Sequence, residues 1–339
     1  MIKITIPKEA IELHKNTYCK EISQYLRDVI NSTTIYIDKN IPHARLTSGE
    51  KSFLEFILQH INEIMIADPH RLEELIELIT TEADQQFVNN TTCRDRIYKK
   101  ILPKIFDYES FRDGISWRFD KTNGKRLSTK NEKWNGNIFI EKLGVRCCPY
   151  CNRAYVFSVK RENSQKTVKP CLDHFFSQSR YPYLGVSIYN LVPCCTVCNS
   201  SLKGNIDFNL KDYLHPYCDE HLHDHFKVNI ATTVKSLKGY KLKDSDIEFV
   251  CSEKVQKHVN DFALKEFYKK HLDYIQEIVI KINDYGDKSY WDSIKRYDVA
   301  DPLQLLLGNF WQSEDINKRP LAKITADLCE QYGISIIDD

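Results

Sequence analysis

Two Cys-x-x-Cys pairs, Cys148-Pro-Tyr-Cys151 and Cys195-Thr-Val-Cys198, stand 43 residues apart in the middle of the chain. A two-residue gap lets both thiolates of a pair turn onto one cation. Two such pairs complete the closed, tetrahedral four-sulfur set that structural zinc prefers. The chain between them must then double back so that the pairs meet. A redox disulfide would need only one pair, usually beside a βαβ pattern, and that pattern is absent. Cys147 and Cys194 adjoin the expected ligands and Cys171 lies between the pairs, so spacing alone leaves partner exchange open. The reading taken here is Cys148, Cys151, Cys195 and Cys198 on one structural Zn²⁺. Cys19, Cys93, Cys218, Cys251 and Cys329 are scattered and read as buried free thiols.

With 339 residues, 42% of them apolar or aromatic, the chain can bury a large core in two or three domains. No segment resembles a signal peptide, and no apolar run approaches the ~20 residues of a membrane span. The expectation is a soluble, cytoplasmic protein. A net charge of +1 carries no global nucleic-acid signature. Locally the balance differs: Glu141 to Asn205 holds nine Lys or Arg against three acids, whereas Glu63 to Asp84 holds seven acids against Arg71 alone. A basic centre suits phosphate, and the acidic stretch reads as a solvated helix face.

The flanks carry helical periodicity. Pro7 can open a helix bearing Ile11, Leu13, Ile22, Leu26 and Ile30. Thr47-Ser48-Gly49-Glu50 has capping-box spacing, and Asp68-Pro69 is a second start signal. The longest helix is expected from Ser252 to about Asn283, and a last one over Pro320 to Tyr332 with Gly333 as its stop. The centre alternates aromatic and β-branched residues, predicting strands over Ala154–Val159, Lys169–Phe175 and Ser187–Leu191, with a turn at Ser164–Lys166. Arg180 to Tyr183 reads as a compact loop and Cys195 to Lys203 as a short helix. A polar stretch from Lys121 to Asn137 marks a boundary. The expected division is a helical domain over 1–137, a zinc-bound module over 138–220 and a helical region over 221–339.

Within the module, a strand–loop–strand–helix order holds Asp173, His174, Asn190 and Asn199. Strand alternation separates Asp173 from His174, and a twist at the strand end aims both at one phosphate. Asn199 follows Cys198 by one residue, ~100° around a helix, so the cysteine faces zinc while the amide faces a second metal. Asp and Asn oxygens suit Mg²⁺ or Mn²⁺.

The motifs C-P-Y-C at 148–151, D-H at 173–174, Asn190, and C-T-V-C-N with Lys203 resemble the zinc-knuckle form of the HNH, or ββα-metal, endonuclease superfamily. The wider string, through Tyr181-Pro-Tyr-Leu, Asn190-Leu-Val-Pro, Lys203-Gly204 and His215-Pro-Tyr217, is similar to PtuB-like nucleases of Septu and retron antiphage systems. The resemblance covers residues 141–220 and implies a zinc-stabilised ββα-metal module there; with the helical flanks, the expected fold is mainly α around that central module. It implies His174 as general base, Asp173 and Asn199 on the catalytic cation, and Asn190 fixing the loop that orients His174. Lys203, with Arg153 or Arg180, would contact phosphate. It further implies a DNA-cutting defence effector working with an ATPase partner. Asn199 stands where the family name has its final histidine, which weakens any expectation of a histidine-dependent transition metal.

Other readings organise the same residues. RNA, such as tRNA, fits a water-based mechanism as well as DNA does. A non-catalytic zinc-ribbon adaptor would need the four cysteines and not Asp173, His174 or Asn199. His221-x-His223-x-His225 has the look of a metal comb but equally that of an exposed strand, His215-Pro-Tyr217 reads as a structural turn, and Trp117, Trp134, Trp291 and Trp311 read as packing residues.

Overall fold

The structure, a computed structural model, describes residues 2–31, 46–115, 133–160, 162, 167–219, 225–232, 240–285 and 301–334. Trp117, Trp291, His221, His223, the turn at Ser164–Lys166 and most of the polar boundary stretch lie outside them. The described residues are mostly helical, with three two-stranded antiparallel sheets: β1 (Val159–Lys160) with β2 (Thr167–Val168), β3 (Cys171–His174) with β4 (Leu191–Cys194), and β5 (Phe226–Ile230) with β6 (Ile247–Cys251). Buried residues of all three expected segments, from Ile4 to Cys329, join in one contiguous apolar cluster.

The start signals work as their chemistry requires. Thr47 accepts from the Glu50 amide at 3.3 Å while Glu50 Oε2 accepts from the Thr47 amide at 2.8 Å, opening Ser48–Gln59. Asp68 caps Pro69–Gln86 through the amides of His70 and Arg71. At the other end, Ala322–Gln331 closes with Gly333 at φ 70°, the left-handed position that glycine takes without strain.

Three expectations change. The strand expected over Ala154–Val159 is reduced to Val159, paired with Val168, and Tyr155 makes only an isolated bridge to Cys147. The single helix from Ser252 to Asn283 is divided into Gln256–Asp261, Leu264–Lys269 and Leu272–Tyr285. Ala263 adopts φ 46° and breaks the first junction, although Val255, Val259, Phe262, Ile275 and Ile278 remain buried. Local periodicity is indifferent to such a break because each piece keeps its own apolar stripe. Likewise Ser187–Leu191 is no strand: Ile188–Asn190 makes a tight helical turn, and the strand is shifted to Leu191–Cys194. The shift places Asp173 opposite Val192 and His174 opposite Leu191.

The flanks grip the cysteine-bearing centre. Ile2 donates its amide to Pro149 at 3.0 Å, and Ile4 to Pro216 at 2.7 Å. Buried Tyr268 donates its hydroxyl to the Cys151 carbonyl at 2.8 Å. Asn152, at φ 49°, turns the chain after Cys151; its side chain donates to Ile316 O and accepts from the Lys323 amide.

Candidate functional site

The four cysteines meet. Cys148, Cys151, Cys195 and Cys198 place their sulfurs within 4.8 Å of one another, a group that could hold a metal ion. A tetrahedral zinc site with bonds of about 2.3 Å has sulfur–sulfur edges of roughly 3.8 Å, so the donor set fits. Backbone amides point at the sulfurs as well: Cys195 N donates to Cys148 Sγ at 3.4 Å and Cys198 N to Cys195 Sγ at 3.5 Å. Hydrogen bonds within the group, from Cys148 first, lower the Cys195 thiol, while burial raises that of Cys148. The exchange left open by spacing is settled by backbone direction. Cys147 turns into a small apolar cluster with Ile2, Ile316 and Ala322, and Cys194 is buried on β4 opposite Cys171.

Beside this group lies a cleft of about 860 Å³. Asp173, His174, Asn199 and Lys203 all line it. Tyr108, Arg112, Asp113, Lys169 and Gln178 complete much of its wall.

Asp173 is buried and held from two sides. Tyr150 donates its hydroxyl to Oδ2 at 2.7 Å, and Lys203 Nζ donates to Oδ1 at 2.8 Å. Burial raises Tyr150 well above the ordinary tyrosine range, with the Asp173 charge adding to it, so the hydroxyl keeps its proton and donates. Lys203 also donates to the His174 carbonyl and lies 4.8 Å from the centre of the Phe208 ring. It is buried, so its charge serves Asp173 first and reaches the cleft from beneath.

His174 is held by its ring edge. Nε2 lies 2.9 Å from the Gly185 carbonyl, which can only accept; Nε2 therefore carries the proton and Nδ1 the free lone pair. Burial lowers the ring to about 4, keeping it neutral near pH 7. The Tyr108 ring meets it edge-to-face at 4.7 Å. A Cβ on Gly185 would lie 2.5 Å from the Phe106 carbonyl, so only glycine allows this approach.

Asn190 is fully buried. Its Oδ1 accepts from the Phe176 amide at 2.7 Å, and its Nδ2 donates to the carbonyls of Phe176 at 3.1 Å and Leu184 at 3.3 Å. It ties together both ends of the loop that carries Gly185. Asn199 sits on Val197–Lys203, a helix wound wider than an α-helix, and remains partly exposed toward the cleft.

Two expected phosphate contacts lie elsewhere. Arg153 stacks on Phe267 at 3.6 Å, with Nε and Nη2 buried and unbonded among the described residues. Arg180 is exposed and paired with Asp207 at 3.1 Å. Neither lines the cleft. Of the histidine comb, His225 bonds Ser252 Oγ at 3.0 Å. His215 packs on Phe175 at 4.1 Å, and Tyr217 donates to Leu191 O at 2.6 Å. Trp134 is buried and donates to His14 at 3.0 Å. Trp311 donates to Asp301 and lines a second, smaller pocket.

Sequence reading missed Tyr108, Arg112, Lys169 and Gly185 on this site. Tyr108 bonds Leu172 across 64 positions, and no local pattern encodes so distant a neighbour. Tyr150 lies inside its Cys-x-x-Cys pair, and no local pattern shows its bond to Asp173, 23 positions on. Gly185 carried a faint signal, a lone glycine between apolar residues.

No protein-family model, curated protein or solved structure matches the chain significantly. Among the described residues no helix is long and apolar enough to cross a membrane.

Proposed function

We propose that the chain is a metal-dependent endonuclease of the HNH type, with the four-cysteine group holding a structural Zn²⁺ and the cleft hydrolysing phosphodiester bonds. The observation that carries the reading is the pinning of His174: Gly185 fixes the Nε2–H tautomer and leaves Nδ1 for the cleft shared with Asp173 and Asn199.

Nδ1 takes the proton of the attacking water, a role that needs a neutral imidazole. Asp173 uses one lone pair on each oxygen for Tyr150 and Lys203, leaving about two of its four acceptor positions. With the Asn199 carboxamide this is a hard, sparse oxygen set, the kind Mg²⁺ or Mn²⁺ accepts while keeping water and phosphate oxygens. Such a cation, when bound, stabilises charge on the scissile phosphate and the leaving oxygen. Lys203 holds Asp173 in place and adds positive potential beneath the phosphate. Arg112 and Lys169 at the wall, half-buried and both paired with Asp113, are the cations that would take the phosphate-binding role in place of Arg153 and Arg180.

DNA is the substrate the sequence resemblance favours, and a defence effector gated by an ATPase partner is the matching context. RNA is the other polymer this chemistry accepts. The test is cleavage of plasmid, single-stranded DNA and total RNA with Mg²⁺, beside His174→Ala. Metal-dependent cutting lost in a folded His174→Ala protein supports the reading. Equal cutting by the variant overturns the base assignment. No cutting by the wild type, alone or with the ATPase, leaves the adaptor.

A further inference from the structure

Outward positions around the first hairpin are apolar where solvent-facing positions are ordinarily polar. Tyr155, Phe157, Val159 and Val168 are 47%, 44%, 50% and 71% exposed, while Val156 between the rings is buried. The Tyr155 and Phe157 rings are 5.1 Å apart, and Val159 faces Val168 across the β1–β2 pair. Scattered exposed apolar residues need no explanation, but two aromatic rings and two valines on one short hairpin do.

Charge and position say what covers them. The sequence from 153 to 169 carries five Lys or Arg and one Glu, of which Arg153 is turned onto Phe267 and Lys169 is half-buried and paired with Asp113. Exposed Arg146 runs alongside, its carbonyl accepting from the Val156 amide at 2.8 Å. After Val168 the chain passes directly into Lys169, Pro170 and Cys171, which line the cleft. Flat rings beside an exposed arginine, on a chain segment that leads into the proposed nuclease cleft, are the elements by which proteins hold unpaired strands: bases stack on rings and phosphates track the charge.

We propose that Tyr155 and Phe157 form a stacking platform for unpaired bases of a nucleic-acid strand whose backbone runs past Lys169 into the cleft. The substrate class is thus a single strand, or a duplex locally opened. The proposal rests on the nuclease reading for its ligand class, yet its test reads binding and not cleavage.

The experiment is fluorescence anisotropy of labelled oligo-dT, oligo-U and a blunt DNA duplex, without added divalent metal. The proteins are the wild-type full chain, Tyr155→Ala/Phe157→Ala and Tyr155→Leu/Phe157→Leu. Stacking contributes ~1–3 kcal/mol per base, so both double variants should bind single strands at least about tenfold more weakly than wild type. Duplex binding should be unchanged. The leucine pair keeps apolar area without rings; wild-type binding by that pair overturns stacking. Equal single-strand binding by the alanine pair, or no binding by the wild type, overturns the platform. If the alanine pair instead shifts the oligomeric state in light scattering, the face is an interface between copies and the proposal falls. Strand binding lost in the ring variants, with no cleavage by the wild type, leaves the platform standing and removes the nuclease reading.

Discussion

The Tyr150 hydroxyl donates to Asp173 Oδ2 at 2.7 Å, so a residue enclosed between two cysteines of the metal group also positions the carboxylate of the cleft. Its ring stacks on Phe262 at 4.7 Å with 21° between planes, which fixes the hydroxyl's direction. The four-cysteine group and the cleft therefore share one support, and disturbing the first moves the second.

Tyr150→Phe keeps that ring and deletes the hydrogen bond. Leaving a buried carboxylate oxygen without its donor costs about 1–3 kcal/mol of stability. Cleavage should fall at least about tenfold while the metal content of the cysteine group stays at wild-type level. Urea unfolding, metal analysis and a cleavage assay on one preparation check all three; wild-type cleavage would remove Tyr150 from the positioning of Asp173.

Gly185→Ala inserts a methyl group 2.5 Å from the Phe106 carbonyl, so the loop must shift. The Gly185 carbonyl then no longer meets His174 Nε2. Imidazole nitrogen shifts in NMR should show a single Nε2–H tautomer in the wild type and a mixture in the variant, with cleavage reduced in parallel. An unchanged tautomer would mean that something other than Gly185 orients the ring.

One zinc per chain is expected on purification. Cys195→Ser and Cys151→Ser should lose it and lower the melting temperature, because the ligands close a loop of more than forty residues between the pairs. Cys194→Ala and Cys147→Ala should retain it, since neither sulfur belongs to the group. Zinc loss in Cys194→Ala alone, with Cys195→Ser loaded, would reassign the ligand.

His258 is buried among Tyr150, Phe208, Tyr213 and Phe262, and neither ring nitrogen has a partner among the described residues. Burial pushes it from 6.5 down to about 3. Between those values the unfolded chain binds a proton that the folded chain does not, so stability falls as pH falls, by about 1.4 kcal/mol per pH unit for this group. His258→Phe removes that liability. The variant should match or exceed wild-type stability at pH 7 and lose about 1 kcal/mol less between pH 6.5 and 5.5, read by urea unfolding. Parallel pH profiles for the two proteins would place the acid sensitivity elsewhere.

Much of the framework was legible from local pattern. Thr47 and Asp68 cap helices because their side chains reach amides two or three residues on, a relation carried by adjacent letters. The cysteine pairs were legible for a similar reason: thiolates two residues apart meet one cation with little help from the rest of the fold. The break at Ala263 was not legible, because alanine is a strong helix former and only packing holds it at φ 46°.

By itself the sequence determined which residues are available for the proposed chemistry, namely four thiols, one Asp-His pair and two asparagines at workable spacing. Tertiary structure decided their working states. It bound Lys203 to Asp173, turned Arg153 onto Phe267, and brought the Tyr108 ring and the Gly185 carbonyl against His174. The physical reason is that hydrogen-bond direction and burial depend on neighbours distant along the chain. A sequence names a histidine, and only the packed chain determines which nitrogen keeps the proton.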